Sequence, residues 1–245
     1  MRDFDPATSF GPDVAKHYDS DEGRGDEADT VAFLARLAGD GDALEFAVGT
    51  GRIALPLMAA GVKVDGIELS PDMVSRMREK PGGDTVDVSM GDMATVRTGR
   101  SYELVYLVYN TIGNLLSQDE QIRCFENAAR HLESDGVFVL ECRIPVAPTW
   151  RDRQHVSVEG IELDHVALDV CRYDPVTQIL DNNHLQLRPD GIQFGPIRLR
   201  LAHPAEFDLM ARLAGLRLRE RWGGWNGEPF TADSWRHVSV YEAAR

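Results

Sequence analysis

Residues 45–51 read Glu45-Phe46-Ala47-Val48-Gly49-Thr50-Gly51, and the reading of this stretch decides the fold. The apolar run 43–48 (ALEFAV) leads into it, and a helical pattern at 52–60 leaves it at once. A strand, a glycine turn and a helix in immediate succession open a unit in which strands and helices alternate. Glycine lets a ligand press against backbone at such a turn, and the exposed amides there and at the helix start can hold a carboxylate or a phosphate. Taken as Gly49-Thr50-Gly51-Arg52-Ile53-Ala54, the same residues also fit the G-x-G-x-x-A pattern of nicotinamide or flavin dinucleotide sites. The turn announces a ligand and leaves its identity open.

Outward from this turn, strand-like runs recur at 62–68 (VKVDGIE), 104–109 (LVYLVY) and 137–141 (VFVLE), with 85–89 as a weaker one. Between the last two strong runs Ile122, Phe125, Ala129 and Leu132 recur at helical spacing, and Ser134-Asp135-Gly136 is expected to close that helix as a turn. A helix is also expected over 26–37, where Val31, Leu34 and Leu37 share a face. The alternation predicts an α/β fold with a doubly wound, mostly parallel sheet. After Pro145 the rhythm changes to near-alternating runs at 161–170, 178–187 and 192–201, parted by Asp174-Pro175 and Pro189-Asp190-Gly191, which predicts antiparallel strands. A helix over 204–214 and strand-like pieces at 216–220 and 237–241 complete the chain. The expected divisions are 1–40, 41–145, 146–203 and 204–245, the last completing the core sheet.

Two carboxylates follow the glycine turn at strand ends. Glu68 closes the second strand, where a carboxylate accepts hydrogen bonds from both hydroxyls of a ribose lying across the strand tips. Ser70 and Pro71 behind it read as the cap and first residue of the next helix. Gly91-Asp92-Met93 sits just past the weak strand, where an Asp can accept from an adenine amino group while its apolar neighbour packs on the ring.

Glu45, Gly49 and Gly51, then Glu68, then Asp92-Met93 resemble the successive ligand motifs of class I S-adenosylmethionine-dependent methyltransferases, over roughly residues 43–143. The acidic residue ahead of the glycines, supplied by Glu45, separates this resemblance from the nicotinamide pattern. Ala47 departs from it, standing where the usual acidic-x-G-x-G-x-G pattern has its first glycine. The resemblance implies S-adenosyl-L-methionine as cofactor, with S-adenosyl-L-homocysteine as product. It implies cofactor contacts from Glu45, Ala47, Gly49, Thr50, Gly51 and Arg52 at the turn, and from Glu68, Leu69, Met73, Asp92 and Met93 beyond it. Tyr109, Asn110 and Thr111, after the fourth strand, are implied near the transferred methyl. Tyr18 and His17 precede the first expected helix, where such proteins often carry a lid, so 1–40 is expected as a helical lid, 41–145 as the cofactor-binding core and 146–203 as an acceptor-side insertion. Asn110 and His17 are the candidate catalytic residues. The layout is similar to the branch holding amino-sugar N,N-dimethyltransferases and glycine N-methyltransferase, which implies methyl transfer to a nitrogen or oxygen of a small molecule. A nicotinamide-dependent oxidoreductase and a non-catalytic S-adenosylmethionine-binding module are the competing readings.

Composition bounds the rest. Of the 245 residues 43% are hydrophobic and 27% charged, and no apolar run approaches the roughly 20 residues that cross a bilayer. A net charge of -14 repels phosphate backbones and anionic headgroups, so neither nucleic acid nor a membrane surface is an expected partner. The start MRDFDPATSF has no cationic or apolar signal-like segment, and a cytoplasmic protein is expected. Cys124, Cys142 and Cys171 lack paired spacing, and His155, His165, His184, His203 and His237 show no ligand spacing, so no metal is expected. Trp150, Trp222, Trp225 and Trp235 are assigned to core or interface packing. The expected partner is a small-molecule acceptor, and a homodimer is compatible with the chain.

Overall fold

The structure, a computed structural model, describes residues 1, 4, 9–21 and 25–244. Residues 2–3, 5–8 and 22–24 of the expected lid lie outside the described residues. Helix α1 (Pro12–Asp21) holds Tyr18 and His17, so these residues sit on a helix of their own ahead of α2 (Glu27–Ala38). The expected stripe on α2 turns slightly, because Thr30, Phe33, Leu34 and Ala38 are the residues it buries.

The chain then runs through β1 (Ala43–Phe46), α3 (Ala54–Ala59), β2 (Val64–Glu68), α4 (Pro71–Arg78), β3 (Asp87–Met90) and β4 (Tyr102–Leu107). Ser70 caps α4 by accepting from the Met73 N–H at 3.2 Å, with Pro71 in the first turn, where a missing N–H costs nothing. Helix α5 (Gln118–His131) opens with a capping box, Ser117 and Glu120 each bonding the other's backbone. Strand β5 (Leu132–Arg143) follows without a break, so Ser134-Asp135-Gly136 is not the expected turn. Those residues lie in a bulge, since β4 and β5 pair Tyr102 with Leu132 and then Leu104 with Val137. Gly136 is required there, because a Cβ would lie 2.7 Å from the Tyr102 carbonyl oxygen.

Beyond β5 come four antiparallel strands, β6 (Gln154–Ile161), β7 (Val166–Asp174), β8 (Ile179–Arg188) and β9 (Gly191–Arg200), then α6 (Pro204–Leu213), β10 (Leu216–Trp222) and β11 (Arg236–Ala243). The expected run 161–170 spans a hairpin instead: Ile161 ends β6, the Glu162 N–H donates to the His165 carbonyl at 2.7 Å, and Val166 starts β7. Without Gly or Pro in that turn, alternation passed through it unmarked.

The main sheet has seven strands in the order β10-β11-β5-β4-β1-β2-β3. Its first five strands are parallel, and β11 and β10 add antiparallel beside β5. Because its central strands are buried on both faces, alternate residues feed two cores. Leu44, Phe46, Phe138 and Leu140 pack under α5 and α6, whereas Ala43, Leu104, Tyr106 and Val139 join the core that includes Phe33 and Leu34 of α2. Strand addition reverses between β1 and β4, which opens a crevice at their carboxyl ends, the place where sheets of this kind take ligands. The second sheet, β6-β7-β8-β9, is held to the main body by a buried polar knot. Arg200 donates to the Gln121 side-chain oxygen at 2.6 Å, and Gln121 in turn donates to the carbonyls of Ile112, Leu115 and Arg200. Among the described residues no helix is long and apolar enough to cross a membrane.

Phe125 is fully buried against Phe138, Phe207 and Tyr241, with ring centroids 5.3, 6.2 and 5.5 Å away. Phe125→Ala is expected to lower unfolding free energy in urea by about 3–5 kcal/mol.

Candidate functional site

Three residues after β1 take left-handed backbone angles: Ala47 at φ 53°, Gly49 at 57° and Gly51 at 73°. Gly51 has no room for a side chain, since a Cβ would lie 2.9 Å from Leu55 and Met77. Ala47 occupies a region that favours glycine by about 1–2 kcal/mol, so its surroundings hold the turn in place.

What holds it is Glu68. One oxygen of its buried carboxylate accepts from the Gly49 N–H at 2.8 Å, and the other from the N–H groups of Leu69 at 2.9 Å and Ser70 at 2.8 Å. Burial pushes this carboxyl upward, and the three N–H donors pull against that shift. A carboxylate has about four acceptor positions, so capacity remains for a ligand hydroxyl. The third segment is tied to the same residue, because the Gly91 N–H donates to the Glu68 carbonyl at 2.7 Å. Asp92 orders its own turn by accepting from the Ala94 N–H at 2.8 Å.

These segments line one cavity of about 420 Å³ at the crevice, within the roughly 300–1,000 Å³ of small-molecule sites. Its lining takes Ala47 and Gly49 from the glycine turn, Glu68, Leu69 and Met73 from the end of β2 and the start of α4, and Gly91, Asp92 and Met93 from the segment after β3. Thr111, Asn114, Leu115 and Leu116, after β4, and Phe10 and Tyr18, from the N-terminal segment, complete the lining. Ten residues read from the sequence therefore meet here: Tyr18, Ala47, Gly49, Glu68, Leu69, Met73, Gly91, Asp92, Met93 and Thr111.

The others lie around the cavity rather than on its wall. Glu45 is buried beneath the turn, where the Tyr106 hydroxyl donates to it at 2.9 Å, and burial pushes its carboxyl up to about 8. The Thr50 hydroxyl donates to Asp19 at 2.6 Å. Arg52 pairs with Glu27 at 3.0 Å and lies 4.2 Å from the centre of the Tyr109 ring, a cation–π contact. Tyr109 and Asn110 are consecutive non-glycine residues at φ 65° and 61°. Such strain persists where surroundings over-determine it, often at functional sites. Here the Tyr109 N–H donates to Glu141 at 2.6 Å, and the Asn110 side-chain oxygen accepts from the Cys142 thiol at 2.8 Å and the Arg143 N–H at 3.2 Å. His17 is exposed on α1 and does not line the cavity.

The latch on α1 escaped sequence reading. Lys80, after α4, pairs with Asp19 at 2.7 Å and donates to the Thr50 carbonyl at 2.7 Å, while the Ser70 hydroxyl donates to the Phe10 carbonyl at 2.6 Å. Burial alone would raise the Asp19 carboxyl, but the Lys80 and Thr50 hydrogen bonds outweigh it and hold it below its ordinary value. Phe10, Tyr18 and Tyr109 continue the closure as edge-to-face rings, 6.3 and 6.5 Å apart. No local signal marks these partners, which lie on separate elements. Among the described residues no cluster of three His, Cys, Asp or Glu could hold a metal ion.

Residues 43–136 match a family described as a methyltransferase domain. The solved structure of the CcbJ methyltransferase from Streptomyces caelestis is 38% identical in sequence and superposes with a TM-score of 0.92, over 99% of this chain and 100% of that one. The cypemycin N-terminal methyltransferase of a Streptomyces species is 27% identical over 206 residues, 81% of this chain and 82% of the relative. The dTDP-3-amino-3,4,6-trideoxy-alpha-D-glucopyranose N,N-dimethyltransferase of Streptomyces venezuelae is 28% identical over 208 residues, 82% of this chain and 86% of the relative.

Two outcomes are expected. Asp19→Ala should speed amide hydrogen exchange in residues 12–21 while leaving the global urea midpoint nearly unchanged, because only the latch is lost. For Glu45 the folded value of about 8 lies above the ordinary 4.5. Its neutral form therefore favours folding at low pH, and that contribution is lost as pH rises from about 4.5 towards 8. Glu45→Gln, which keeps an oxygen for Tyr106, should become increasingly stable relative to the parent across that window. A difference independent of pH would mean that Glu45 is charged in the fold.

Proposed function

We propose that this chain, which belongs to the class I S-adenosylmethionine-dependent methyltransferases, transfers the methyl group to an amine nitrogen of a small molecule. It is an enzyme whose cofactor is S-adenosylmethionine, and on that membership the nicotinamide-dependent and non-catalytic readings are set aside. The observation that carries the assignment of the site is the convergence of the glycine turn, Glu68 and Asp92-Met93 on one cavity at the strand tips. Support for a nitrogen acceptor comes from the relatives, by their names one an N-terminal methyltransferase and one acting on an amino sugar.

The cavity fits the cofactor's chemistry. Glu68 keeps acceptor capacity for a ribose hydroxyl, and Asp92 with Met93 and Leu115 offers a carboxylate beside apolar side chains for adenine. The backbone at 47–51 is assigned to the amino-acid end. When bound, the cofactor supplies a methyl group on a positively charged sulfur, already activated for displacement by an amine lone pair. The protein's share is then to align the two reactants and exclude water. Phe10 and Tyr18, latched through Ser70 and Asp19, are assigned to water exclusion. Tyr109, Asn110 and Thr111 are assigned to the rim where the acceptor arrives. Asn110 spends its oxygen on β5, so it is proposed as a positioning residue, and no role as a base is assigned to His17.

Asp92→Ala and Glu68→Gln should each weaken S-adenosylmethionine binding by roughly 10–100-fold in calorimetry, the loss of a charge-assisted hydrogen bond, with unchanged circular dichroism. Unaltered affinity in both would remove the assigned roles. Paired acceptors that differ only in carrying an amine or a hydroxyl should give turnover with the amine; turnover with the hydroxyl alone would overturn the nitrogen assignment.

A further inference from the structure

Two strands of the second sheet set a histidine and a carboxylate side by side. Directly opposed residues of an antiparallel ladder share a face. The registers therefore place Tyr173-Leu180-Leu199, Cys171-Asn182-Ile197 and Asp169-His184-Gly195 in successive rows on one face. That face is turned to the segment after β4, because a Cβ on Gly113 would lie 3.3 Å from the Leu199 side chain. Arg143, the last residue of β5, ties the Asp169 row to the same segment: its N–H donates to the Asn110 side-chain oxygen at 3.2 Å, and its charge acts on Asp169.

Hydrogen bonds along these rows orient the histidine. The Cys171 thiol, which burial pushes up to about 11, stays protonated and donates to the Asn182 side-chain oxygen at 3.2 Å. The amide nitrogen of Asn182, a buried residue, is thereby turned to Asp169, at 3.2 Å, and to His184 Nε2, at 3.4 Å. Asp169 pairs in turn with His184 Nδ1. Burial alone would raise the Asp169 carboxyl, but the bonds from His184 and Asn182 and the Arg143 charge outweigh it and hold it below its ordinary value. A carboxylate at Nδ1 and a donor at Nε2 select the tautomer whose proton sits on Nδ1, which leaves Nε2 as the basic atom. The imidazole is 48% exposed, and the residue opposite it on β9 is Gly195, which has no side chain to cover it.

We propose that His184, oriented by Asp169, is the base that takes a proton from the acceptor's ammonium group. This rests on the nitrogen acceptor assigned above. An alkyl amine holds its proton up to about pH 10 in water, and a protonated nitrogen has no lone pair to attack with. The N–H bond breaks towards His184 Nε2, and its electron pair stays on nitrogen. That pair forms the bond to the methyl carbon while the carbon–sulfur bond breaks and its pair returns to sulfur. The imidazolium then gives its proton to water on its exposed side. Around the ring stand Asp169, Cys171 and Arg143, with Glu159 and His155 on β6, and His165 bonded to Gln186 one row beyond. The carboxylates beside the segment after β4 are committed elsewhere, Glu120 to the cap of α5 and Glu141 to the Tyr109 N–H.

Neutral imidazole with an ammonium is the same protonation state as imidazolium with a free amine. The parent therefore uses the abundant species at neutral pH, whereas a variant without the base awaits the scarce free amine. With trans-4-aminocyclohexanol as acceptor, kcat/KM of the parent should be level from about pH 7 to 10. His184→Gln should be lower by roughly 1,000-fold at pH 7, gain about tenfold per pH unit and meet the parent near pH 10. Asp169→Asn keeps the histidine and should show a smaller deficit of the same form, so the test stays decisive if the first variant folds poorly. Both should bind S-adenosylmethionine in calorimetry as the parent does. In the S-adenosylhomocysteine complex of the parent, the amine should shift the 15N resonance of His184 Nε2, and cyclohexane-1,4-diol should not. Deficits equal at every pH, or an unmoved resonance, would overturn the proposal and leave the nitrogen assignment intact. Methyl transfer to the diol alone would remove that assignment and the proposal with it.

Discussion

The carboxylate of Glu68 is the constraint on which the site depends. It reaches from the end of β2 to the amide of Gly49 beyond β1, and it closes its own turn through Leu69 and Ser70. Its carbonyl receives the Gly91 amide from the segment after β3. One buried residue thereby fixes three loops relative to each other before any ligand is present, and preorganisation of that kind spares the binding step an ordering cost. It also explains how Ala47 persists in a backbone region that favours glycine: the next turn of chain is tied down a short distance away.

Around this fixed floor the closing elements are held by fewer and more exposed contacts. Asp19, Thr50, Lys80, Ser70 and Phe10 link α1 to the turn and to α4 through hydrogen bonds and ion pairs. Partly exposed bonds of this kind open at lower free energy than a buried core does. The strained pair Tyr109-Asn110 sits between the two regimes. It is locked on the β5 side by Glu141, Cys142 and Arg143, and it meets Arg52 and Tyr18 on the other.

Much of the fold was legible because it rests on local periodicity. Alternating apolar runs marked the strands of the main sheet, and Ser70-Pro71 marked a helix start that the structure caps as expected. Legibility failed where a local cue had two meanings. Ser134-Asp135-Gly136 has the composition of a turn, yet pairing with β4 makes it a bulge within β5. The hairpin between Ile161 and Val166 has no turn-forming glycine or proline, and so it was read as continuous strand.

The sequence by itself determined the doubly wound core and the positions of the glycine turn, Glu68 and Asp92, since each of these is written in residues adjacent along the chain. Only the tertiary structure decided that Glu45 lies beneath the turn rather than on the cavity wall, and that Asn110 spends its oxygen on β5. It alone revealed the latch from Asp19 to Lys80 and the pairing of Asp169 with His184 across the second sheet. The physical reason is the same in every case. A side chain's partner, and the face of a strand that meets water, depend on elements distant in sequence, and alternation alone does not say which of two faces is the inside.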